Sequence, residues 1–494
     1  MYWIFISSIL FLLSLAATLI RCPVEIYWNP DVLYLPTVLT DVLQNGGSLR
    51  SWSLASSPYL FPDLPLVFLS SVIAGHPFWG LVGFSVLQVC FFVWALGRFL
   101  RTLEPQIPSL YSFSYALLTV SFLLLLSEKF PILYLFLVPS MHIGAFLAAL
   151  WAWPYLYNEK APRIYFFPIL SLLVMSDRFL LLELYVPAVL AWARRYGRGG
   201  PEFPQVSLRF FLSGLIGFGL HALLRTFLSM QAPNRLPLLE ASKRNLEDFF
   251  HWLQHGELPG IFLFFALLTA IWALFRGKER GFSFGFAGYF QLILIGIPPL
   301  TGLYSDETGL RYTVPAFYMV PALFGALVIS RHLGKRKNSR NVALLGAILG
   351  LGGYTIFSSP KPLQESWIFA GIPTPPEAKC VDELHRTEPF VAVVADGKTA
   401  KRIIVYSREK IRAISVDYST LEGSHLLSNR EWYLFPPEGP YAVIPEGLGE
   451  ARIRSFYGNP DQILECQNDK KPVWIYTEPN TIRNLLQRPF QKTK

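Results

Sequence analysis

Apolar runs of bilayer length recur along the chain from residue 2 to residue 358. A helix that crosses a membrane needs about 20 predominantly apolar residues, or somewhat fewer when the span is short. The candidate segments are 2–20, 80–98, 109–127, 141–157, 163–176, 178–193, 209–228, 259–275, 282–300, 312–330 and 341–358. Segment 2–20 lacks the basic start and the clear cleavage site of a signal peptide, which favours an uncleaved first helix. The pattern predicts an α-helical polytopic membrane protein with about eleven transmembrane helices.

The loop between the first two spans, residues 21–79, contains two further apolar stretches at 31–44 and 64–74. The second of them, "DLPLVFLSSVIAG", is too short to cross a bilayer comfortably. We interpret both stretches as helices that lie along the membrane interface within one outer loop. The polar, turn-rich sequence "NGGSLRSWSLASSPYLFP" separates them.

The end of the chain has a different pattern, without long apolar runs and with mixed charges. This change predicts a membrane domain over residues 1–358 and a separate soluble domain over residues 359–494. Short β-like runs separated by polar turns predict a small β-rich or α+β domain. These runs are "FVAVVADG", "KRIIVYS", "RAISVDY", "YAVIPE" and "VWIYTEP".

Two cysteines, Cys380 and Cys466, lie in this C-terminal domain. Two cysteines in one small domain favour a disulfide and therefore an oxidising compartment, and the alternative is two unpaired buried thiols. Trp432 and Tyr433 are candidates for contact with an acceptor sugar, with burial in the domain core as the equal alternative.

Composition and charge agree with a membrane location. The 494 residues are 52% hydrophobic and only 16% charged, whereas about a quarter of the residues of a soluble protein are charged. With the N-terminus inside, the inner loops contain sixteen lysines and arginines and the outer loops eight. The positive-inside rule therefore predicts N-in and C-out, with the C-terminal domain outside the cytoplasm at an inner or plasma membrane. This topology explains the net charge of +9, and the absence of a basic stripe with interleaved aromatics argues against nucleic-acid binding.

Ionisable residues recur at the predicted outer ends of the helices. An ionisable group at the centre of a bilayer costs roughly 2.5–3.5 kcal/mol on insertion scales, so the positions of such groups are informative. They are Asp31, Asp41, Asp63, His142, Asp177, Arg178, Glu183, His221, Arg225, Asp306, Glu307 and Arg311. Together they predict a polar site at the outer membrane interface.

This order of features resembles that of the GT-C glycosyltransferases, which include protein O-mannosyltransferases and aminoarabinose transferases. The resemblance covers about residues 1–330 as a pattern. Asp31 in "NPDVLYLPTVLTDVLQNGG" takes the place of the family's acidic residue at the start of the first outer loop. Asp63 in "YLFPDLPLVFLSSVIAG" is similar to a second acid before a short helix, and "LRYTVP" with Arg311 and Tyr312 is similar to the start of a late helix. His142 stands where many relatives carry an aspartate.

The resemblance implies transfer of a sugar from a polyprenyl-phosphate or polyprenyl-pyrophosphate donor, in a lipid membrane, to a glycan, lipid or protein acceptor. Asp31 is then expected to be the general base, and Asp63 to share that role or orient the acceptor. The departing phosphate needs cations or hydrogen-bond donors. Candidates for contact with the carrier phosphate are Arg225, Arg311, Arg178, His221, His142 and Tyr312. No metal site or other cofactor is assigned, and use of a divalent metal is left open.

Each of these residues also has an alternative interpretation. Asp31 is well placed to cap a helix, Asp63 to start a turn, and Asp41 to face solvent. Arg225 is an ordinary snorkelling residue, and His142 an ordinary buried histidine.

Three further alternatives concern pairing, metal binding and function. Arg311 has Asp306 and Glu307 as nearby acids for an ion pair. His251 and His255 have the spacing of a metal-binding pair on a helix, but lack a third ligand at clear spacing, so a helix on the bilayer surface is expected. For the whole protein, the competing functions are a transporter or flippase of a lipid-linked or polar solute and a non-catalytic anchor for the C-terminal domain.

Overall fold

The structure, a computed structural model, describes residues 2–105, 107–157, 165–196, 205–231, 236–279, 282–303, 307–332, 372–466 and 471–491. The predicted span 341–358 and the predicted domain boundary at 359 lie outside these residues. The chain forms two compact units. Unit 1 comprises Met1–Pro23, Phe84–Ala222 and Pro233–Phe369, and unit 2 comprises Val24–Gly83, Leu223–Ala232 and Ala370–Lys494. The first loop therefore belongs to the same unit as the C-terminal residues.

The described α-helices are listed here in chain order. They are α1 (Tyr2–Arg21), α2 (Tyr34–Gln44), α3 (Asp63–Ala74), α4 (Pro77–Leu103), α5 (Ser109–Leu126), α6 (Ile143–Tyr157), α7 (Phe166–Ser176), α8 (Val186–Tyr196), α9 (Gln205–Phe227), α10 (Leu238–Gln254), α11 (Leu258–Glu279), α12 (Phe282–Leu300), α13 (Val314–His332), α14 (Pro376–Thr387), α15 (Gly397–Tyr406), α16 (Glu431–Leu434), α17 (Glu450–Tyr457) and α18 (Asn480–Gln491). A π-helical turn, Leu181–Tyr185, directly precedes α8, and 3₁₀-helices occur at Val24–Ile26, Leu49–Ser51, Pro131–Leu137 and Glu307–Tyr312.

Six helices of the described residues are long and apolar enough to cross a membrane. They are Tyr2–Arg21, Pro77–Leu103, Ser109–Leu126, Leu208–Phe227, Leu258–Gly277 and Ser283–Leu300. All six correspond to predicted spans. The predicted spans 141–157, 163–176 and 312–330 correspond to shorter apolar helices, Ile143–Leu156, Phe166–Ser176 and Val314–Ala326. The predicted span 178–193 is interrupted by the π-helical turn.

Polar side chains of two helices in unit 1 bind backbone that is not α-helical. The buried Gln88 of α4 donates from Nε2 to the carbonyl of Phe136, 2.8 Å away, in the 3₁₀-helix Pro131–Leu137. Tyr318 of α13 donates its hydroxyl proton to the carbonyl of Leu133 in the same segment at 3.0 Å. Irregular backbone among membrane helices needs such partners because no water reaches it. These bonds fix the segment that leads to residues 138–142.

The two short helices predicted in the first loop are present in unit 2. The predicted helix over 31–44 is α2, and the predicted helix over 64–74 is α3. Proline and glycine mark the ends of α3, because Pro62 precedes it and Gly75 closes it with a φ of +67°. A left-handed residue at this position satisfies the last carbonyls of a helix and favours glycine.

The C-terminal residues of unit 2 form a mixed sheet. Its strands are β3 (Ala392–Ala395), β4 (Ala413–Ser415), β5 (Tyr441–Val443), β6 (Gln462–Glu465) and β7 (Pro472–Tyr476), and their order is β4-β3-β5-β7-β6. The first three strands are parallel, and β7 runs antiparallel to both β5 and β6. A separate parallel pair joins β1 (Ser53–Leu54) to β2 (Ser229–Met230).

One predicted strand of this domain is a helix. The run "KRIIVYS" forms most of α15, which begins after Asp396. Asp396 Oδ1 accepts hydrogen bonds from the backbone N–H groups of Lys398 at 2.8 Å and Thr399 at 3.3 Å. This N-cap starts the helix, and buried apolar residues at helical spacing, including Ala400 and Ile403, pack it against the sheet. The strand prediction was wrong because it weighed the branched residues and overlooked the cap.

The C-terminal residues and the first loop are connected by main-chain hydrogen bonds. The backbone N–H of Arg430 donates to the carbonyl of Ser51 at 2.7 Å, and that of Ser53 donates to the carbonyl of Ser428 at 2.9 Å. Within the C-terminal part, Cys380 and Cys466 form a disulfide with their Cα atoms 5.3 Å apart. Unit 2 thus consists of an early loop paired with a late, disulfide-closed sheet domain.

Candidate functional site

Asp31 lies in a turn between the 3₁₀-helix Val24–Ile26 and α2. Its backbone N–H donates to Asn29 Oδ1 at 2.9 Å, and its side chain is partly exposed. The N-cap of α2 is Leu33, so Asp31 does not cap this helix. The capping alternative is therefore wrong.

Two cationic side chains from α15 hold the turn that carries Asp31. Lys401 Nζ donates to the carbonyl of Pro30 at 3.1 Å, and Arg402 Nε donates to the carbonyl of Trp28 at 3.2 Å. Both cations are buried, with exposed fractions of 8% and 7%. Burial lowers the pKa of Lys401 to about 8, and the negative charge of Asp31 acts in the opposite direction. The turn therefore meets two positive charges from the C-terminal domain.

Arg402 also has an acidic partner. Its Nη1 lies 3.0 Å from Oε1 of Glu377, and both side chains are buried. Removing one partner of a buried ion pair is strongly destabilising because the other charge stays uncompensated. This pair fixes Arg402 against Trp28. Sequence reasoning missed Lys401 and Arg402, since they lie about 370 residues after the turn and no local pattern marks them.

Asp41 forms a second polar cluster between the loop and the C-terminal residues. Its Oδ2 accepts hydrogen bonds from Trp52 Nε1 and Asn429 Nδ2, each at 2.7 Å, and its Oδ1 accepts one from Trp432 Nε1 at 3.0 Å. Asp41 is only 2% exposed, so the expectation that it faces solvent was wrong. Trp432 and Tyr433 are also buried, which excludes them as a free surface for a sugar.

Asp63 and Arg225, the other predicted site residues of unit 2, lie at helix ends. Asp63 is the first residue of α3 and is 4% exposed. A carboxylate in this position is stabilised by the helix dipole, so Asp63 has a structural role whether or not it has another. Arg225 is exposed in the last turn of α9, a position that suits snorkelling and contact with phosphate equally.

The predicted residues of unit 1 form a cluster centred on His142 and Asp177. His142 Nδ1 donates to Asp177, at 2.8 Å from Oδ2 and 3.0 Å from Oδ1. The backbone N–H of Phe179 donates to Asp177 Oδ1 at 3.0 Å, so this carboxylate is held from two sides. The His142 ring contacts the rings of Phe179 and Tyr312, with centroid distances of 4.9 Å and 5.3 Å, and these two rings are 5.5 Å from each other.

The backbone around His142 is strained. Both Ser140 and His142 adopt positive φ values, 65° and 62°. Such conformations in residues other than glycine cost of order 1–3 kcal/mol each and cluster at functional sites. The ring contacts and the bond to Asp177 are the interactions that stabilise this conformation of His142.

Arg311 extends the cluster. Its guanidinium lies 5.0 Å from the centre of the Tyr312 ring, and Arg311 Nη2 donates to the Tyr312 hydroxyl at 3.1 Å. Both residues lie at the end of the 3₁₀-helix Glu307–Tyr312. The alternative in which Arg311 pairs with Asp306 or Glu307 concerns side chains outside the described part of the chain.

Two further candidates are connected to this cluster: His221 by a hydrogen bond, and Arg178 as the residue that follows Asp177. His221 is buried, and its Nδ1 donates to the carbonyl of Met175 at 2.9 Å, two residues before Asp177. Arg178 directly follows Asp177 and is partly buried. Unit 1 therefore brings together His142, Tyr312 and Arg311 by direct contact, and His221 and Arg178 by their attachment to the Asp177 segment.

Glu183 is a buried acid to which sequence reasoning assigned no role. It lies on the π-helical turn Leu181–Tyr185 and is fully buried. Within the described part of the chain, neither of its carboxylate oxygens has a hydrogen-bond partner. Single π-helical turns inside helices occur frequently at functional sites, and buried polar groups without partners are uncommon in folded proteins.

Comparison with protein-family models finds no matching family, and comparison with curated proteins finds no significant match.

Proposed function

We propose that the protein is a glycosyltransferase of the GT-C type. It transfers a sugar from a polyprenyl-phosphate or polyprenyl-pyrophosphate carrier to a glycan, lipid or protein acceptor. The proposal includes a topology of about eleven spans, N-in and C-out, with both the first loop and the C-terminal domain on the outer face.

The observation that supports this proposal most directly is the setting of Asp31. The acid follows the first apolar helix, as in the family, and is fixed in a turn by Lys401 and Arg402 without being consumed as a helix cap. A carboxylate is a suitable group to take the proton of an attacking hydroxyl in glycosyl transfer.

In the proposed reaction, an acceptor hydroxyl attacks the anomeric carbon of the donor sugar. Asp31 takes the hydroxyl proton as the new bond between the acceptor oxygen and carbon forms. The bond between that carbon and the carrier phosphate breaks, and the electron pair leaves with the phosphate oxygen. We assign stabilisation of this negative charge to Arg225, which belongs to the same unit as Asp31, because guanidinium groups bind phosphate through two parallel hydrogen bonds.

The test uses the full-length protein in lipid nanodiscs. The donors are polyprenyl-phosphate hexose and polyprenyl-pyrophosphate oligosaccharide, each radiolabelled in the sugar, and the readout is separation of label from the lipid. We expect Asp31→Asn to lower the rate by about 10²–10⁴, the usual contribution of a general base. Asp417→Asn, at an exposed turn of the same unit, is the matched control. Equal rates for wild type and Asp31→Asn would remove Asp31 from the mechanism.

Sidedness is tested separately with single cysteines and a membrane-impermeant thiol reagent on intact cells. Cys22 and Cys90 are first replaced by serine, because they are the free thiols of the chain. Asn45→Cys and Ser419→Cys are expected to react, and Arg101→Cys only after the cells are opened. Reaction in the reverse order contradicts the proposed topology.

A transporter of a polar solute is the second candidate, and Glu183 is the observation that favours it. A fully buried acid without a hydrogen-bond partner among the described helices suits a proton or cation pathway. Proteoliposomes distinguish the two functions. Accumulation of solute that is lost in Glu183→Gln and needs no sugar transfer supports transport, whereas transfer that is retained in Glu183→Gln supports the glycosyltransferase.

A further inference from the structure

The turn between α10 and α11 brings together three side chains that bind metals well. His251 and His255 lie one helical turn apart, and their ring centroids are 4.3 Å apart. Glu257 follows the turn, and one of its oxygens lies 3.9 Å from His251 Nε2. One ligand atom from each of the three residues lies within 4.8 Å of the other two. Sequence reasoning recognised the histidine pair but found no third ligand, and the structure supplies Glu257.

The backbone explains how Glu257 reaches the histidines. Gly256 adopts a φ of +65°, and the N–H of Glu257 donates to the carbonyl of Trp252 at 2.8 Å. This left-handed glycine closes the end of α10 and reverses the chain direction. Glu257 is thereby turned back towards the last turn of the helix, beside His251.

One histidine is already oriented for a metal. His255 Nδ1 donates to the carbonyl of His251 at 2.8 Å. Since a carbonyl oxygen can only accept, the proton sits on Nδ1, and Nε2 presents its lone pair. Ligand histidines in proteins usually have this arrangement, in which the second ring nitrogen is bonded to a backbone carbonyl or carboxylate.

We infer that His251, His255 and Glu257 form a zinc-binding site at the end of α10. Two imidazoles and one carboxylate match the ligands of open zinc sites, which keep a further position for water or an anion. Calcium and magnesium prefer a shell made of oxygen atoms, so this set selects against them. Zinc bonds of about 2.0–2.2 Å place neighbouring ligands about 3.3 Å apart, and small rotations of these exposed side chains are enough to close the gap.

The site does not depend on the proposed glycosyltransferase function. All three ligands are exposed, so the metal would be reached from solvent and exchangeable. Because Glu257 directly precedes α11, a bound zinc would fix the angle at which the amphipathic α10 joins the next apolar helix. The ligand is a free divalent cation, and no substrate is required.

The experiment measures zinc binding to the full-length protein purified in detergent without a polyhistidine tag. Equilibrium dialysis against zinc, followed by elemental analysis, is expected to give one zinc that His255→Asn or Glu257→Gln removes or weakens. Removal of a residue that hydrogen-bonds to a metal ligand typically lowers metal affinity at least about tenfold. Removal of a ligand itself is expected to lower the zinc affinity by at least as much. His385→Asn and Glu240→Gln are the matched controls, since they remove the same side-chain types outside the cluster and are expected to keep the zinc.

Cobalt absorption provides a second readout, because a site with two nitrogen ligands gives a visible spectrum on replacement of zinc by cobalt. The inference is overturned if wild type and the His251→Asn/His255→Asn double variant bind equal amounts of zinc. It is also overturned if excess calcium displaces the zinc. The ligand variants change exposed side chains only, so size-exclusion chromatography should show the same folded species for each of them.

Discussion

Replacement of Asp41 by asparagine tests the idea that this buried acid joins the first loop to the C-terminal domain. Asp41 accepts three hydrogen bonds, two on Oδ2 from Trp52 and Asn429 and one on Oδ1 from Trp432. Asparagine has a single acceptor oxygen, so its best orientation keeps the Oδ2 pair and directs an NH₂ group at Trp432 Nε1–H. Asp41→Asn therefore loses at least one bond and removes the charge from the other two.

The size of the effect follows from the usual strengths of these bonds. A hydrogen bond to a charged group contributes about 1.5–3 kcal/mol, and a neutral one about 0.5–1.5 kcal/mol. One lost and two weakened bonds lower the free energy of unfolding by about 3.5–6 kcal/mol. For a unit of this size, each kcal/mol shifts the melting temperature by about 2–4 °C, so the expected decrease is about 7–24 °C.

The assay follows tryptophan emission during heating of the full-length protein in detergent, together with trypsin cleavage after Arg50 in the exposed part of the loop. Glu388→Gln, an exposed charge change in the same unit, is the control. Trp432→Phe removes only the hydrogen bond from Trp432 Nε1 to Asp41. In the Asp41→Asn background, where this bond is already lost, Trp432→Phe should lower the free energy of unfolding only by the packing that the smaller ring loses. The reasoning is refuted if Asp41→Asn has the same melting temperature as the Glu388→Gln control and is cleaved after Arg50 at the same rate. The carboxylate would then contribute nothing to the stability of the contact between the first loop and the C-terminal domain.

The remaining predictions concern unit 2. Gly47→Ala should destabilise the protein by about 1–3 kcal/mol, because its new Cβ overlaps the Asp41 carboxylate and overpacks the cluster; Gly397→Ala, where a Cβ meets open space, should leave the melting temperature unchanged or slightly raised. Lys401 has a folded pKa of about 8 against an ordinary 10.5, so the folded state binds fewer protons between these values and stability should rise by about 3 kcal/mol as the pH rises through this window. Denaturation at several pH values should show that Lys401→Met lacks this increase, and a persisting increase would assign it to other groups. Replacing Cys380 and Cys466 by serine should cost about 2–5 kcal/mol, because the disulfide closes a long loop in the unfolded chain; an unchanged denaturation midpoint would contradict this.

Features that depend on neighbouring residues were predictable from the sequence. The length of apolar runs identified all six long helices, and an apolar run too short to span a bilayer identified α3. The association of His142 with Tyr312 was also foreseeable, because both residues stand at the starts of helices whose outer ends were expected on one membrane face. The strand expected over 401–407 failed because a short branched run also fits one face of a helix.

Features that depend on distant residues were not predictable. The partners of Asp41 at residues 429 and 432 carry no sequence signal, since an asparagine and a tryptophan in a polar tail look like ordinary surface or core residues. The burial of Lys401 was equally unpredictable. Lysine is rarely buried unless it has a partner, and the sequence does not show that its partner is the carbonyl of Pro30. Only the fold brings these residues to the first loop.

The pairing of the first loop with the end of the chain has a consequence for biosynthesis. Asp41 is separated from Asn429 and Trp432 by 388 and 391 residues. At about 5–20 residues per second, a ribosome needs about 20–80 seconds to make the intervening chain. During that interval the newly made loop lacks the partners that bury its acid, and it is then most open to chaperones and to proteases. A chain that ends before Asn429 would therefore lack the partners of Asp41, and its first loop could not form the buried cluster.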